Sequence, residues 1–156
     1  MKALAESVLA RARARGVVIT TAESCTGGMV AVALTDIAGS SAVVERGFVT
    51  YSNDAKIEML GVRAETLKAH GAVSEQVALE MARGALIHSH AGLSVSITGI
   101  AGPGGSEFKP EGRVCFGVAG TGGCTAETRE FGAQGRDRVR RAARDHALEL
   151  LLAHLE

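Results

Sequence analysis

No two cysteines stand close enough to form a CxxC unit; the three present are Cys25, Cys115 and Cys124. An odd and scattered set argues against a disulfide framework and against a structural zinc site. Net charge is also missing. Seventeen Lys and Arg balance 17 Asp and Glu, so no global field recruits nucleic acid or an anionic membrane, and binding to either would need a local patch. No run approaches the roughly 18 apolar residues of a membrane span. The N-terminal stretch MKALAESVLARARARG carries Glu6 and four basic residues inside its apolar pattern, unlike the h-region of a signal peptide. The expected compartment is the cytoplasm. No HExxH or similar spacing joins the five histidines, and no Gly-Lys-Ser/Thr follows a glycine loop. That excludes a P-loop and leaves no metal or cofactor to expect. Repeats, linkers and low-complexity segments are absent too, so residues 1–156 are expected to form one domain.

What is present is an ordinary globular composition, 46% hydrophobic and 22% charged, in a chain long enough to bury a core unaided. Apolar positions from Leu4 to Ala12 recur at helical spacing, and Gly16 stands where a helix ends. Val17 to Thr20 is a short β-branched run, read as a buried strand. Met29 to Leu34 forms the next helix, and a strand region spans Val43-Val44 and Gly47 to Tyr51. Asn53 is expected to cap a short helix that stops at Gly61, and Ser74 a longer one from Glu75 to about His88. Leu93 to Thr98 reads as a strand. Val114 to Ala119 and Thr125 to Phe131 read as a hairpin turning at Gly122-Gly123, and Arg138 to Leu155 as the closing helix. Strands alternating with helices imply an α/β fold, a three-layer α/β/α sandwich with a mixed, mainly parallel sheet.

Four segments carry candidate chemistry. TAESCTGG, residues 21–28, joins a buried strand to a helix, where free backbone N–H groups can hold an anion or a developing oxyanion. Ser24 or Thr26 could equally cap the helix. Tyr51, the only tyrosine, closes a strand near the same sheet edge. Lys56 follows in the first turn of a helix, where the dipole disfavours a cation by roughly 0.3–1 kcal/mol. Such a lysine is either a solvated surface residue or a buried base of lowered pKa that could take the Ser24 proton. The loop Gly99 to Gly105 has the glycines for close approach to a ligand, or for a plain long turn. Finally, Arg136, Arg138, Arg140, Arg141 and Arg144 crowd the start of the last helix. There they repel one another and oppose the dipole unless an anion or the nearby acids Asp137 and Asp145 relieve them. Cys25 is the one alternative nucleophile, but no histidine stands near it in sequence.

Taken together, TTAESCTGG, TDIAGSS, ERGFVTYSNDAK, GAVSEQV, SITGIAGPGG and RDRVRRAA resemble the CinA C-terminal domain family, in family order and over residues 4 to 154. The resemblance implies an α/β/α fold and hydrolysis of nicotinamide mononucleotide (NMN) to nicotinate mononucleotide and ammonia. The family's nucleophilic serine falls on Ser24, its lysine base on Lys56 and its assisting tyrosine on Tyr51. On this basis backbone groups of Cys25, Thr26, Gly27 and Gly28 are expected to serve the oxyanion. Gly102, Pro103 and Gly104, with one or more of Arg138, Arg140 and Arg141, are expected to hold the 5′-phosphate. The expected partner is the small-molecule substrate, with no nucleic acid and no membrane, and a homo-oligomer is left open. The rival readings are a non-catalytic nucleotide-binding module and a competence- or damage-inducible regulatory module.

Overall fold

A computed structural model describes residues 1–156. Five strands, β1 (Ile19–Glu23), β2 (Val44–Val49), β3 (Leu93–Gly99), β4 (Arg113–Gly120) and β5 (Gly123–Glu130), form one sheet in the order β2-β1-β3-β4-β5. β1 pairs in parallel with β2 and β3, whereas β3–β4 and β4–β5 are antiparallel. β4 alone therefore runs against the other four, giving the mixed, mainly parallel sheet that alternating elements imply.

The helices are α1 (Lys2–Arg15), α2 (Met29–Thr35), α3 (Asn53–Leu60), α4 (Ala64–His70), α5 (Glu75–Ile87) and α6 (Arg136–Leu155). The chain leaves β1 through α2 to the edge strand β2, then crosses back past β1 through α3, α4 and α5 to β3. Two crossovers of one hand in opposite directions place their helices on opposite faces. Accordingly α1, α2 and α6 pack together on one side and α3, α4 and α5 on the other. The main core lies under the first layer, where Val8, Leu34, Val139, Leu148 and Leu151 meet Ile19, Val95, Ile97 and Phe116. A smaller cluster around Phe48, Leu60, Val77 and Met81 lies under the second. Central strands covered on both faces are buried throughout, while β2 and β5 at the edges are largely exposed. No helix is long and apolar enough to cross a membrane.

Local signals set most boundaries. Gly16 and Gly61 adopt the left-handed conformation that ends α1 and α3, at φ 65° and 71°. Ser74 caps α5 by accepting from the Val77 N–H. Four expectations need correction. β1 starts at Ile19 and runs to Glu23, because ladder pairing with β2 and β3 outweighs the β-branched run at Val17-Val18. Ser52, not Asn53, caps α3, its hydroxyl accepting from the Ala55 N–H. α6 begins at Arg136 behind Gly135, one half-turn earlier than the apolar pattern indicates. α4 has no counterpart in the sequence reading, since its seven residues show too few apolar positions to reveal a period.

Candidate active site

Strand alternation aims the end of β1. Ile19 belongs to the core beneath α2 and Ala22 to the cluster beneath α3 and α5, so successive residues alternate between the layers. Glu23 falls on the α2 side. Its fully buried carboxylate accepts from the N–H groups of Gly28 (3.3 Å), Val30 (3.0 Å) and Ala31 (3.0 Å), the first-turn donors that α2 cannot pair internally. Ser24 falls on the opposite side, its own N–H still in the ladder with the Ile97 carbonyl at 2.9 Å. There it meets Lys56 of α3.

Lys56 is 1% exposed. Its Nζ lies 3.1 Å from Ser24 Oγ and 3.0 Å from the Thr50 carbonyl. Burial lowers the amine's pKa from the ordinary lysine value, against a weaker opposing pull from Cys25 and Glu107. A neutral amine has two N–H bonds and one lone pair. With one N–H donated to Thr50, the lone pair remains for the Ser24 hydroxyl proton. Neighbouring Cys25 is different: burial pushes its thiol up to about 12, so the reactive thiolate is out of reach at neutral pH.

These groups open onto a cleft of about 320 Å³ at the carboxyl ends of β1 and β3. The chain leaves those two strands in opposite directions, the switch point at which open α/β sheets bind ligands. Loop residues Gly99 to Glu107 form one wall, including Gly102, Pro103 and Gly104, and Tyr51 and Arg136 add the outer edge. Gly102 has φ 94°, and a Cβ there would run into the Glu111 side chain, so only glycine fits. Glu111 ties the wall to the start of α6, accepting from the N–H of Gly104 (2.7 Å) and of Gly135 (3.1 Å).

Several sequence expectations fall elsewhere. Tyr51 lines the cleft but is 61% exposed, and its hydroxyl accepts from Arg136 Nη2 at 2.7 Å rather than bonding to Ser24 or Lys56. Of the amides expected to serve an oxyanion, Gly28's is taken by Glu23 and Gly27's by the Ser24 carbonyl. None of Arg138, Arg140 and Arg141 lines the cleft. Arg138 is exposed, and Arg141 pairs with Asp137 one turn back at 2.7 Å. Arg140 donates to the carbonyls of Cys25 (3.0 Å) and Thr26 (3.3 Å). The helix that begins at 136 instead brings Arg136 to the cleft, where Nη1 also donates to the Gly102 carbonyl at 2.9 Å. Arg136 belongs to the arginine cluster marked in the sequence but is not among the three expected to hold the phosphate, and Glu23 was given no role at all. A helix opening on Gly28 with no Ser, Thr, Asp or Asn cap was the available signal for Glu23.

The model of the CinA C-terminal domain family matches residues 1–155. The chain belongs to this family. Among its relatives, a protein of Escherichia coli (strain K12) described as nicotinamide-nucleotide amidohydrolase PncC is 58% identical over 149 residues, covering 95% of this chain and 90% of that one. A CinA-like protein of Anaeromyxobacter dehalogenans is 52% identical, over 95% of this chain but only 36% of its own length. Among solved structures, the competence/damage inducible protein CihA from Agrobacterium tumefaciens superposes with a TM-score of 0.94 at 51% identity, covering 97% of this chain and 93% of that one. A CinA superfamily protein from Klebsiella pneumoniae reaches 0.95 at 39% identity, covering 99% and 96%.

Proposed function

We propose that this CinA C-terminal domain hydrolyses the carboxamide of NMN to nicotinate mononucleotide and ammonia, with residues 1–156 acting as one domain. The observation that carries the reading is the buried Lys56 amine 3.1 Å from the Ser24 hydroxyl. A nucleotide-binding module gains nothing from a lysine kept out of water, whereas a nucleophilic serine needs a neutral base beside it. The E. coli relative's description names the same substrate class.

Lys56 takes the Ser24 proton as Oγ attacks the carboxamide carbon, which the cationic pyridinium ring makes electron-poor. The oxyanion is met by the backbone N–H of Cys25, which lines the cleft directly after the nucleophile. Lys56 returns its proton to the amide nitrogen, the C–N bond breaks, and ammonia leaves an ester on Ser24. Water then attacks the ester while Lys56 takes its proton; the C–Oγ bond breaks, Lys56 passes that proton to Ser24 Oγ, and nicotinate mononucleotide leaves. Arg136 meets the 5′-phosphate, with Tyr51 holding the guanidinium in place.

Ammonia release from NMN by purified protein tests the reading. Wild type is expected to release ammonia and nicotinate mononucleotide stoichiometrically. Ser24→Ala should lose nearly all turnover, on the order of a thousandfold or more, yet still bind NMN. Cys25→Ala should keep most of its activity. Tight NMN binding by wild type with no ammonia would overturn the enzyme and leave the binding module.

A further inference from the structure

We infer that Glu107 determines which ring the cleft accepts: its carboxylate receives a cationic pyridinium, so the site takes positively charged nicotinamide nucleotides in preference to neutral isosteres. The inference rests on the hydrolase reading and deepens it, because that reading gives the phosphate a partner but none to the charge of the ring.

Among the residues lining the cleft, Glu107 carries the one carboxylate. The reaction itself fixes where the ring lies. A pyridinium is bonded directly to the carboxamide carbon that Ser24 attacks. Its charge therefore falls within one ring's width of Ser24 Oγ and of the Lys56 amine 3.1 Å away. Glu107 acts in that region: after Cys25, it is the group whose charge pulls on the Lys56 amine. Arg136, the other charged group of the cleft, is a cation held by Tyr51 and the Gly102 carbonyl, so it suits the opposite end of the substrate.

A two-residue hairpin presents the carboxylate. Ser106 and Lys109 exchange backbone hydrogen bonds of 3.0 and 2.8 Å around Glu107 and Phe108. These two, at φ 52° and 63°, are the non-glycine residues of the chain with left-handed backbone. Asn-Gly closes such a turn with less strain, and strain retained beside a binding cleft points to a constraint on the side chain. Phe108 is fully exposed, whereas Glu107 lines the cleft. Gly71 leaves room for it, since a Cβ there would overlap the Glu107 carboxylate. Lys109 braces the hairpin without neutralising it. Its ammonium donates to the carbonyls of His70 (2.7 Å) and Val73 (2.6 Å) and stands 4.0 Å from Glu107, beyond hydrogen-bond reach. The anion is left to a ligand.

Binding of two ligands tests the inference: NMN, and benzamide riboside 5′-monophosphate, whose phenyl ring keeps the carboxamide and phosphate but not the charge. Calorimetry in the Ser24→Ala background, where NMN is not consumed, compares Glu107 with Glu107→Gln and Glu107→Asn. At low ionic strength both variants should bind NMN roughly three- to tenfold more weakly and the neutral isostere as before. Both ligands carry the phosphate, so any contact with Arg136 cancels. Asn suits the left-handed backbone, so Glu107→Asn should melt no lower than its parent, which separates lost charge from lost fold. It also serves as the test if Glu107→Gln does not fold. Unchanged NMN affinity in the variants, or equal losses for both ligands, would overturn the inference. Failure of the hydrolase reading shows separately, as a wild type that releases no ammonia; a loss confined to NMN would then still uphold Glu107 as the partner of the ring.

Discussion

Lys56 is the residue on which stability and chemistry pull in opposite directions. Its pKa is lowered by burial from the ordinary 10.5. Between the lowered value and 10.5 the unfolded chain binds the extra proton, so folding becomes more favourable as pH rises through that window. Below the lowered value the full penalty applies. Lys56→Met removes the titrating group, so it is expected to raise the melting temperature at pH 6, with a smaller gain near pH 10, while abolishing turnover. In wild type the same protonation should set an acid limb on kcat/KM below 10.5. A profile that climbs only toward 10.5, or a Lys56→Met protein that melts earlier at pH 6, would contradict a buried neutral amine. Arg136 is the other residue with a specific expectation. It is the one arginine lining the cleft, so Arg136→Ala should raise KM for NMN far more than for the riboside, which lacks the phosphate. Equal effects on both would show that Arg136 does not read the phosphate.

Among the elements, α5 shows how close packing positions α3 and its lysine. A Cβ on Gly84 would overlap the Leu60 carbonyl at the end of α3, and one on Gly117 of β4 would overlap the Ala78 carbonyl of α5. Hydroxyls on one face of β3 bond the same helix, Ser94 to the Ala82 carbonyl and Ser96 to the Ala78 carbonyl. Gly84→Ala in an exposed helix interior would gain up to about 1 kcal/mol from propensity. Here the methyl has no room, so the variant is expected to lose roughly 1–3 kcal/mol in denaturant unfolding. It should also lose activity, as α3 is pushed from the sheet and Lys56 from Ser24. Helix ends were readable for local reasons: Gly16, Gly61 and Ser74 act on their own turns. α4 and the true start of α6 were not, because neither is marked by a hydrophobic period.

At the scale of the whole molecule, the order β2-β1-β3 brings residues 24, 56 and 98–107 to one crevice. The same order gives β1 a helical layer on each face, so Glu23 and Ser24, adjacent in sequence, act in different layers. One carboxylate closes α2 while the next hydroxyl meets α3.

The sequence by itself determined the α/β class, the order of elements other than α4, the glycine-rich turns and the short list of chemically apt residues, because all of these are written in local composition and spacing. It also offered Ser24 and Lys56 as a pair without being able to join them. Only the tertiary structure decided that the Lys56 amine is buried, that Arg136 rather than Arg138, Arg140 or Arg141 reaches the cleft, and that Tyr51 engages an arginine. Those outcomes depend on strand register, on the half-turn by which α6 starts early, and on contacts between residues 32 to 115 positions apart. No local pattern encodes such distances; close packing of the two layers on the sheet sets them.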